Sequence, residues 1–145
     1  MEIHEGNIAR LAIPDDKGKE AGSLYYLPYD AGLFERSIDL TRFLKETMQR
    51  VSSLMSGSTA ITAEVSSVLS EADRDARNAV DRAFGIKTAD EVFRLHRPFE
   101  LVGNRFWMAY VVDAANEVAD HVSGNLTALG RRMKKISPKK RWFWR

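Results

Sequence analysis

Histidines and closely spaced acids are the side chains in this chain that could support metal binding. His4, His96 and His121 are far apart in the sequence. Glu117 and His121 are four residues apart, a spacing that places both on one face of a helix and allows two metal ligands. No third ligand accompanies them, and a Glu–His pair at this spacing is also a common surface pair. The sequence therefore predicts no metal site and no cofactor.

Two pairs of acids could in principle perform acid–base catalysis: Asp73 with Asp75, and Asp113 with Glu117. Both pairs fall on charged flanks of predicted helices, where carboxylates are normally solvated and keep their usual pKa. The chain has no cysteine, which removes thiolate chemistry, and it has no Gly-rich phosphate loop or HExxH helix. We therefore expect a non-enzymatic protein with no catalytic residues.

The strongest chemical signal is the basic C-terminal end, residues 131–145. It holds eight Lys or Arg side chains, no acid, and the aromatic run Trp142-Phe143-Trp144. Taking these eight from the 22 bases of the chain leaves fourteen against twenty acids, so the first 130 residues carry a net charge of −6. The basicity of the protein is therefore local, which suggests that this end docks on a partner.

Several partners suit such an end. The two tryptophans could occupy a groove on a protein, with the charges steering its approach. Nucleic acid could be bound through phosphates and stacked bases, and an anionic membrane surface would attract the same side chains. A solvated tail is the fourth interpretation. We favour a protein partner and expect these partner-binding residues: Tyr26, Trp107, Lys139, Lys140, Arg141, Trp142, Phe143 and Trp144.

The elements that would position these residues begin with a β-hairpin. Residues 7–13 and 22–28 have strand-like composition, and the segment 14–18, Pro-Asp-Asp-Lys-Gly, is a turn signal. Tyr25 and Tyr26 would point to opposite faces of the second strand, so one of them should be exposed or covered by a partner.

Two long helices are predicted next. Asp30 is a suitable N-cap for the first, Tyr29 and Phe34 would form a hydrophobic staple, and Gly57 would end the helix. The second helix would begin at Ser58 or Thr59. It would carry a narrow apolar stripe rich in alanine and end before Gly85.

The remaining segments predict a short helix and a long one. Thr88 and Glu91 have the spacing of a capping box for a helix through about Leu95, and Pro98 could be the first residue of the last helix. Continued to Lys135, that helix would be about 55 Å long, whereas a domain of this size is about 38 Å across. It should therefore break near residues 123–125 or project its basic end outward.

These elements predict a mainly α fold: an N-terminal hairpin followed by three to four helices in one domain, residues 1–130, and a basic aromatic tail, residues 131–145. The N-terminus lacks the pattern of a secretory signal. The most apolar stretch, residues 106–112, is too short to span a membrane. We expect a soluble, cytoplasmic protein.

Two segments resemble the small tail assembly chaperones of long-tailed bacteriophages. Residues 27–36, Leu-Pro-Tyr-Asp-Ala-Gly-Leu-Phe-Glu-Arg, are similar to the Tyr-Asp helix start of that family. Residues 80–93 fit its D-x-x-F-G-x-x-T-x-x-x-x-F pattern, and many members also end in Arg or Lys. This chain departs from the family where Arg94-Leu95 replaces a usual glycine, and in its Trp-Phe-Trp end.

The resemblance implies a non-enzymatic chaperone that binds the tape measure protein or tail tube subunits during virion assembly in the host cytoplasm. Self-association is a further expectation, and a nucleic-acid-binding module is the alternative function. Phe84 should pack the second helix against the last, Gly85 should allow the turn, and Phe93 should anchor the short helix that Thr88 caps. The fold-defining residues are Tyr29, Asp30, Phe34, Phe84, Gly85, Thr88 and Phe93.

Overall fold

A computed structural model describes residues 8–57 and 62–135 and confirms the predicted fold class, mainly helical with an N-terminal two-stranded hairpin. A second, very short hairpin precedes the last helix. The elements are β1 (Ala9–Pro14), β2 (Glu20–Tyr26), α1 (Ala31–Ser56), α2 (Ala63–Phe84), α3 (Thr88–Val92), β3 (Leu101–Val102), β4 (Arg105–Phe106) and α4 (Trp107–Lys134).

The first hairpin forms because its turn supplies its own hydrogen bonds. The Asp15 carboxylate accepts the backbone N–H groups of Lys17 and Lys19, both at 2.9 Å. Gly18 takes the positive φ of 80° that the turn requires. β1 and β2 are antiparallel, with Leu11 opposite Leu24. One face of the hairpin joins the core, which stabilises two strands that would be marginal alone.

α1 is the central helix and packs against both α4 and α2. Its apolar stripe, which includes Leu33, Leu40, Leu44 and Val51, is buried. The side chain of Asn125 in α4 donates to the carbonyl of Pro28, just before α1, at 3.0 Å. Polar contacts continue along the pair, since the Thr41 hydroxyl donates to Asn116 at 3.2 Å. α1 and α4 are therefore antiparallel.

α2 presents a stripe of small side chains to the core. Ala72, Ala76 and Ala79 are buried, and alanines allow a helix to approach its neighbour closely. The helix begins at Ala63, because the Thr62 hydroxyl accepts the N–H of Val65 at 3.2 Å and caps it. The predicted start at Ser58 or Thr59 is therefore corrected; those two residues lie outside the described part of the chain.

α3 begins differently from the prediction. Thr88 is its first residue rather than its cap, and Lys87 precedes it in a left-handed conformation, φ 75°, without a side-chain capping bond. The Asp81 carboxylate of α2 instead accepts the N–H of Ala89 at 2.8 Å. The helix ends at Val92, short of the predicted Leu95.

The last helix does not begin at Pro98, so that prediction is wrong. Residues 101–106 form the small β3–β4 hairpin about Gly103, whose φ is 67°. A glycine with positive φ at the first turn position fits a two-residue hairpin loop. α4 then begins at Trp107, whose backbone N–H donates to the carbonyl of Glu100 at 2.8 Å. This bond satisfies a donor of the first helical turn.

α4 passes through residues 123–125 without a break. Its 28 residues correspond to about 42 Å, and beyond Leu126 most of its side chains are exposed. The predicted break is therefore wrong, and the described part of the basic end, residues 131–135, continues from α4 with most of its side chains exposed. None of the helices within residues 8–57 and 62–135 combines the length and the apolar character needed to cross a membrane.

Candidate functional site

Trp107, predicted as a contact residue, is completely buried. Its indole N–H donates to the carbonyl of Val92 at 3.0 Å, and its ring stacks on Tyr110 with centroids 5.3 Å apart. The side chain therefore joins the end of α3 to the start of α4, and its role in partner binding is corrected to one in the core. Trp107 lies in helical register with Val111, Ala114 and Val118, which are also buried, so it belongs to the buried stripe of α4.

Tyr26, also predicted as a contact residue, lies in the core with its hydroxyl hydrogen-bonded to Nδ1 of His121. The two rings meet edge to face at 5.7 Å. Burial raises the pKa of the Tyr26 phenol, and the nearby Glu117 carboxylate adds to the shift. Tyr25 on the other face is half-buried. Partner binding by Tyr26 is therefore corrected as well.

The predicted tail contacts are not part of the described structure. In the last turn of α4, Arg131, Arg132 and Lys134 are exposed to solvent. Six of the predicted contact residues lie beyond the described part of the chain: Lys139, Lys140, Arg141, Trp142, Phe143 and Trp144.

The start of α1 is stabilised by Asp30, which caps the N–H of Leu33 at 3.3 Å. The same carboxylate pairs with Arg36 at 2.8 Å, which holds the pKa of Asp30 below its usual value. Tyr29 and Phe34, expected to form a staple here, are 53% and 37% exposed. Both therefore lie on the surface rather than in the core.

The pattern around the end of α2 divides into two structural roles. Phe93 is buried, with the Arg77 guanidinium 5.2 Å from its ring centroid, so it joins α3 to α2. Gly85 ends α2 with φ 116°, which L side chains rarely adopt. Phe84 is half-buried beside Tyr25 and the start of α1. Since α2 packs mainly on α1 and α3, the predicted contact of Phe84 with the last helix is corrected.

The candidate metal and acid–base groups are engaged in ordinary contacts. Both ring nitrogens of His121 lie beside protein atoms, Tyr26 on one side and Asn125 on the other. Asp73 pairs with Arg77 at 3.0 Å, and Asp113 pairs with an arginine across the surface. Among the residues that the structure describes, no three His, Asp or Glu side chains are grouped so that they could hold a metal ion.

One surface feature that could bind a partner is a cleft of about 430 Å³ between the end of α1 and the first half of α2. We call it the α1–α2 cleft. Its lining comes from α1, α2 and the segment that precedes α4, and consists of Val51, Met55, Leu69, Ser70, Asp73, Arg97, Phe99, Glu100 and Phe106.

Two aromatic rings form one wall of the α1–α2 cleft. Phe99 and Phe106 meet edge to face with centroids 5.6 Å apart. Leu101 lies opposite Phe106 in the β3–β4 pair and is 67% exposed. Directly paired residues in an antiparallel ladder share a face, so Leu101 extends this apolar wall to solvent. Across the cleft, Met55 is 43% exposed. The cleft therefore exposes apolar side chains on both of its walls.

Of the three charged side chains that line the α1–α2 cleft, Glu100 and Asp73 are paired with neighbours, and Arg97 is exposed. Glu100 bonds to His96 at 2.7 Å and accepts the N–H of Arg97 at 3.1 Å, which together lower the pKa of the Glu100 carboxyl. Asp73 is held by Arg77 on its own helix. An apolar surface bordered by charged side chains resembles the core and rim of a protein-binding site.

Sequence reasoning missed this cleft because a last helix that begins at Pro98 would place Phe99 and Phe106 on one buried helical face. The two residues are seven apart, which fits a helical face as well as it fits the ends of a short hairpin. The available signal was Gly103-Asn104, a turn pair in the middle of the supposed helix. Comparison of the chain with protein-family models, with curated proteins and with solved structures found no match.

Proposed function

We propose that this protein is a non-enzymatic assembly chaperone that holds a helical segment of another polypeptide in the α1–α2 cleft. The observation that supports the proposal is the exposed apolar lining with its aromatic wall and its rim of charged side chains. The partner we propose is the tape measure protein of a long-tailed bacteriophage, or its tail tube subunits, because of the resemblance of residues 27–36 and 80–93 to tail assembly chaperones.

Helix-in-groove binding suits the shape of this surface. An amphipathic helix inserts side chains spaced three or four residues apart into an apolar groove. The α1–α2 cleft is open to solvent along the ends of two antiparallel helices, so a third helix can pack alongside them. Met55 adds adaptability, since its unbranched side chain fits partners of varied shape. A long helical partner such as a tape measure chain contains many segments of this kind.

Substitutions in the cleft test the proposal. Met55→Glu and Leu69→Glu should each weaken binding to a co-expressed tape measure protein by at least about tenfold, because they place an unpaired charge against apolar partner side chains. The matched control is Ile86→Glu, at the other end of α2, where the native side chain is 88% exposed. Affinity of purified complexes would be measured by calorimetry. Equal affinities for the three variants would contradict the proposal.

The alternative function, a nucleic-acid-binding module, is favoured by one feature: the last turn of α4 carries Arg131, Arg132 and Lys134 beyond the body of the protein. Exposed bases of this kind neutralise phosphates and release counterions. The alternative predicts binding to single-stranded nucleic acid that weakens steeply with salt and is lost when residues 131–145 are deleted. Undetectable binding at low salt would rule it out.

A further inference from the structure

α4 has a largely exposed face, which other parts of the described structure approach only near Asp113 and Glu117. α1 lies along one side of the helix, where Asn116 meets Thr41, and the hairpin lies along another, where His121 meets Tyr26. The third side carries residues three or four apart in the sequence, all exposed. We call it the α4 face, and it consists of Asp113, Glu117, Asp120, Gly124, Ala128, Arg131 and Lys135.

The charges of the α4 face are segregated along the helix. The three acids occupy its first half, and residues 107–130 contain no Lys or Arg. The two bases lie at its other end, Arg131 in the last turn and Lys135 at the C-cap. The spacing of the seven positions is the same read from either end, with Gly124 at the centre.

An antiparallel second copy placed against the α4 face brings opposite charges together. With the two Gly124 residues facing each other, Asp113 lies opposite Lys135 of the other copy, and Glu117 lies opposite its Arg131. Two-fold symmetry then repeats both pairs, giving four acid–base pairs. A parallel copy would instead place like charges opposite each other, which is unfavourable.

Gly124 provides an independent observation. It lies in the interior of α4, where glycine is less favourable than alanine. A Cβ added to Gly124 would meet no atom within 4 Å among the described residues, so packing against them does not explain the glycine. With Ala128 beside it, the centre of the α4 face is formed by small residues, and such residues let two helices approach closely.

We propose that two copies of this protein associate through the α4 face, with antiparallel helices that cross at Gly124. Asp113, which pairs with Arg105 at 2.9 Å, can exchange to the partner's lysine at little cost because that pair is solvent-exposed. The face is polar, so the dimer is weak and salt-sensitive. The α4 face is separate from the α1–α2 cleft. A variant that no longer dimerises can therefore still bind a partner helix, and a variant that no longer binds the helix can still dimerise.

Charge reversal tests the pairing. The double variant Arg131→Glu with Lys135→Glu makes the face wholly acidic, and Asp113→Lys with Glu117→Arg makes it basic. At low ionic strength each variant alone should dissociate at least about tenfold more readily than the wild-type dimer, because every pair becomes repulsive. An equimolar mixture of the two should form a heterodimer, and the protein with all four changes should form a homodimer again.

Sedimentation equilibrium of the full chain would measure these associations. The control is Lys45→Glu with Arg50→Glu, which changes charge equally on the exposed side of α1 and should leave the dimer intact. A wild-type protein that stays monomeric at low ionic strength and high concentration would overturn the proposal. So would a dimer that the two charge-reversed variants form as well as the wild type does.

A disulfide test fixes the geometry, since the chain has no cysteine of its own. Gly124→Cys should cross-link under mild oxidation, because the two-fold axis brings both copies of residue 124 together. Ala128→Cys should not, because its two copies lie about 12 Å apart along the helices, beyond the reach of a disulfide. Efficient cross-linking at 128 and none at 124 would overturn the antiparallel crossing at Gly124.

Discussion

At the scale of single residues, Trp107 is the side chain around which several elements pack. It is buried, bonds to the carbonyl of Val92, and lies against His96 with centroids 5.1 Å apart. A Cβ added to Gly22 in β2 would lie 3.1 Å from the same carbonyl and 3.5 Å from the indole. The hairpin, α3 and α4 therefore meet around one ring.

Trp107→Phe should lower the free energy of unfolding by about 1–3 kcal/mol, because it leaves the buried carbonyl of Val92 without a donor. Urea unfolding would measure the change. Tyr29→Phe is the control, since it removes a polar atom from an exposed ring and should change stability by less than about 0.5 kcal/mol. A Trp107→Phe protein as stable as the wild type would contradict this role.

Asp30 has two separable functions, a cap and an ion pair. Asp30→Ala should lower the free energy of unfolding by about 1 kcal/mol, whereas Asp30→Asn retains a capping oxygen and loses only the pairing with Arg36. The folded pKa of Asp30 is lowered below 3.8, so the ion pair stabilises the protein above that pH and is lost as pH falls through the folded value.

The stability difference between wild type and Asp30→Asn should therefore shrink on acidification below pH 3.8, the usual carboxyl value. Urea unfolding at neutral and acidic pH would measure it. A difference that is constant with pH would show that the Asp30 carboxylate has no stabilising charge interaction in the folded state.

At the scale of elements, α3 is started by a side chain from another helix. The Asp81 carboxylate accepts the N–H of Ala89, while Thr88 is the first residue of the helix and not its N-cap. Asp81→Ala should lower the free energy of unfolding by about 1 kcal/mol, the usual effect of losing a cap. Thr88→Ala should change it by less than about 0.5 kcal/mol. Thermal unfolding would measure both, and the reverse order of effects would contradict the assignment.

Local sequence signals predicted the elements whose hydrogen bonds are local. The turn around Asp15 and the cap at Asp30 use residues within a few positions of one another, so both could be found from the chain alone. The start of α4 could not, because carbonyls of the preceding loop satisfy its first donors. The burial of Tyr26 and Trp107 was missed for a related reason, since it depends on contacts with elements distant in the sequence.

At the scale of the whole molecule, the central position of α1 separates two surfaces. Its last turns form one wall of the α1–α2 cleft, where Met55 is exposed, and its length supports the buried side of α4. The α4 face points away from that contact, and the basic turn around Arg131 projects beyond it. A partner helix and a second copy can therefore occupy the molecule together.

The central claim is that the α1–α2 cleft holds a helix of another polypeptide. Site-specific photo-cross-linking in cells that also express the proposed partner, a tape measure protein, tests it most directly. A cross-linking side chain in place of Met55 should capture that protein, and the captured positions should lie three or four residues apart, on one face of a helix. A cross-linking side chain in place of the distant Ile86 should not capture it. Capture from position 86 but not from position 55 would contradict the account.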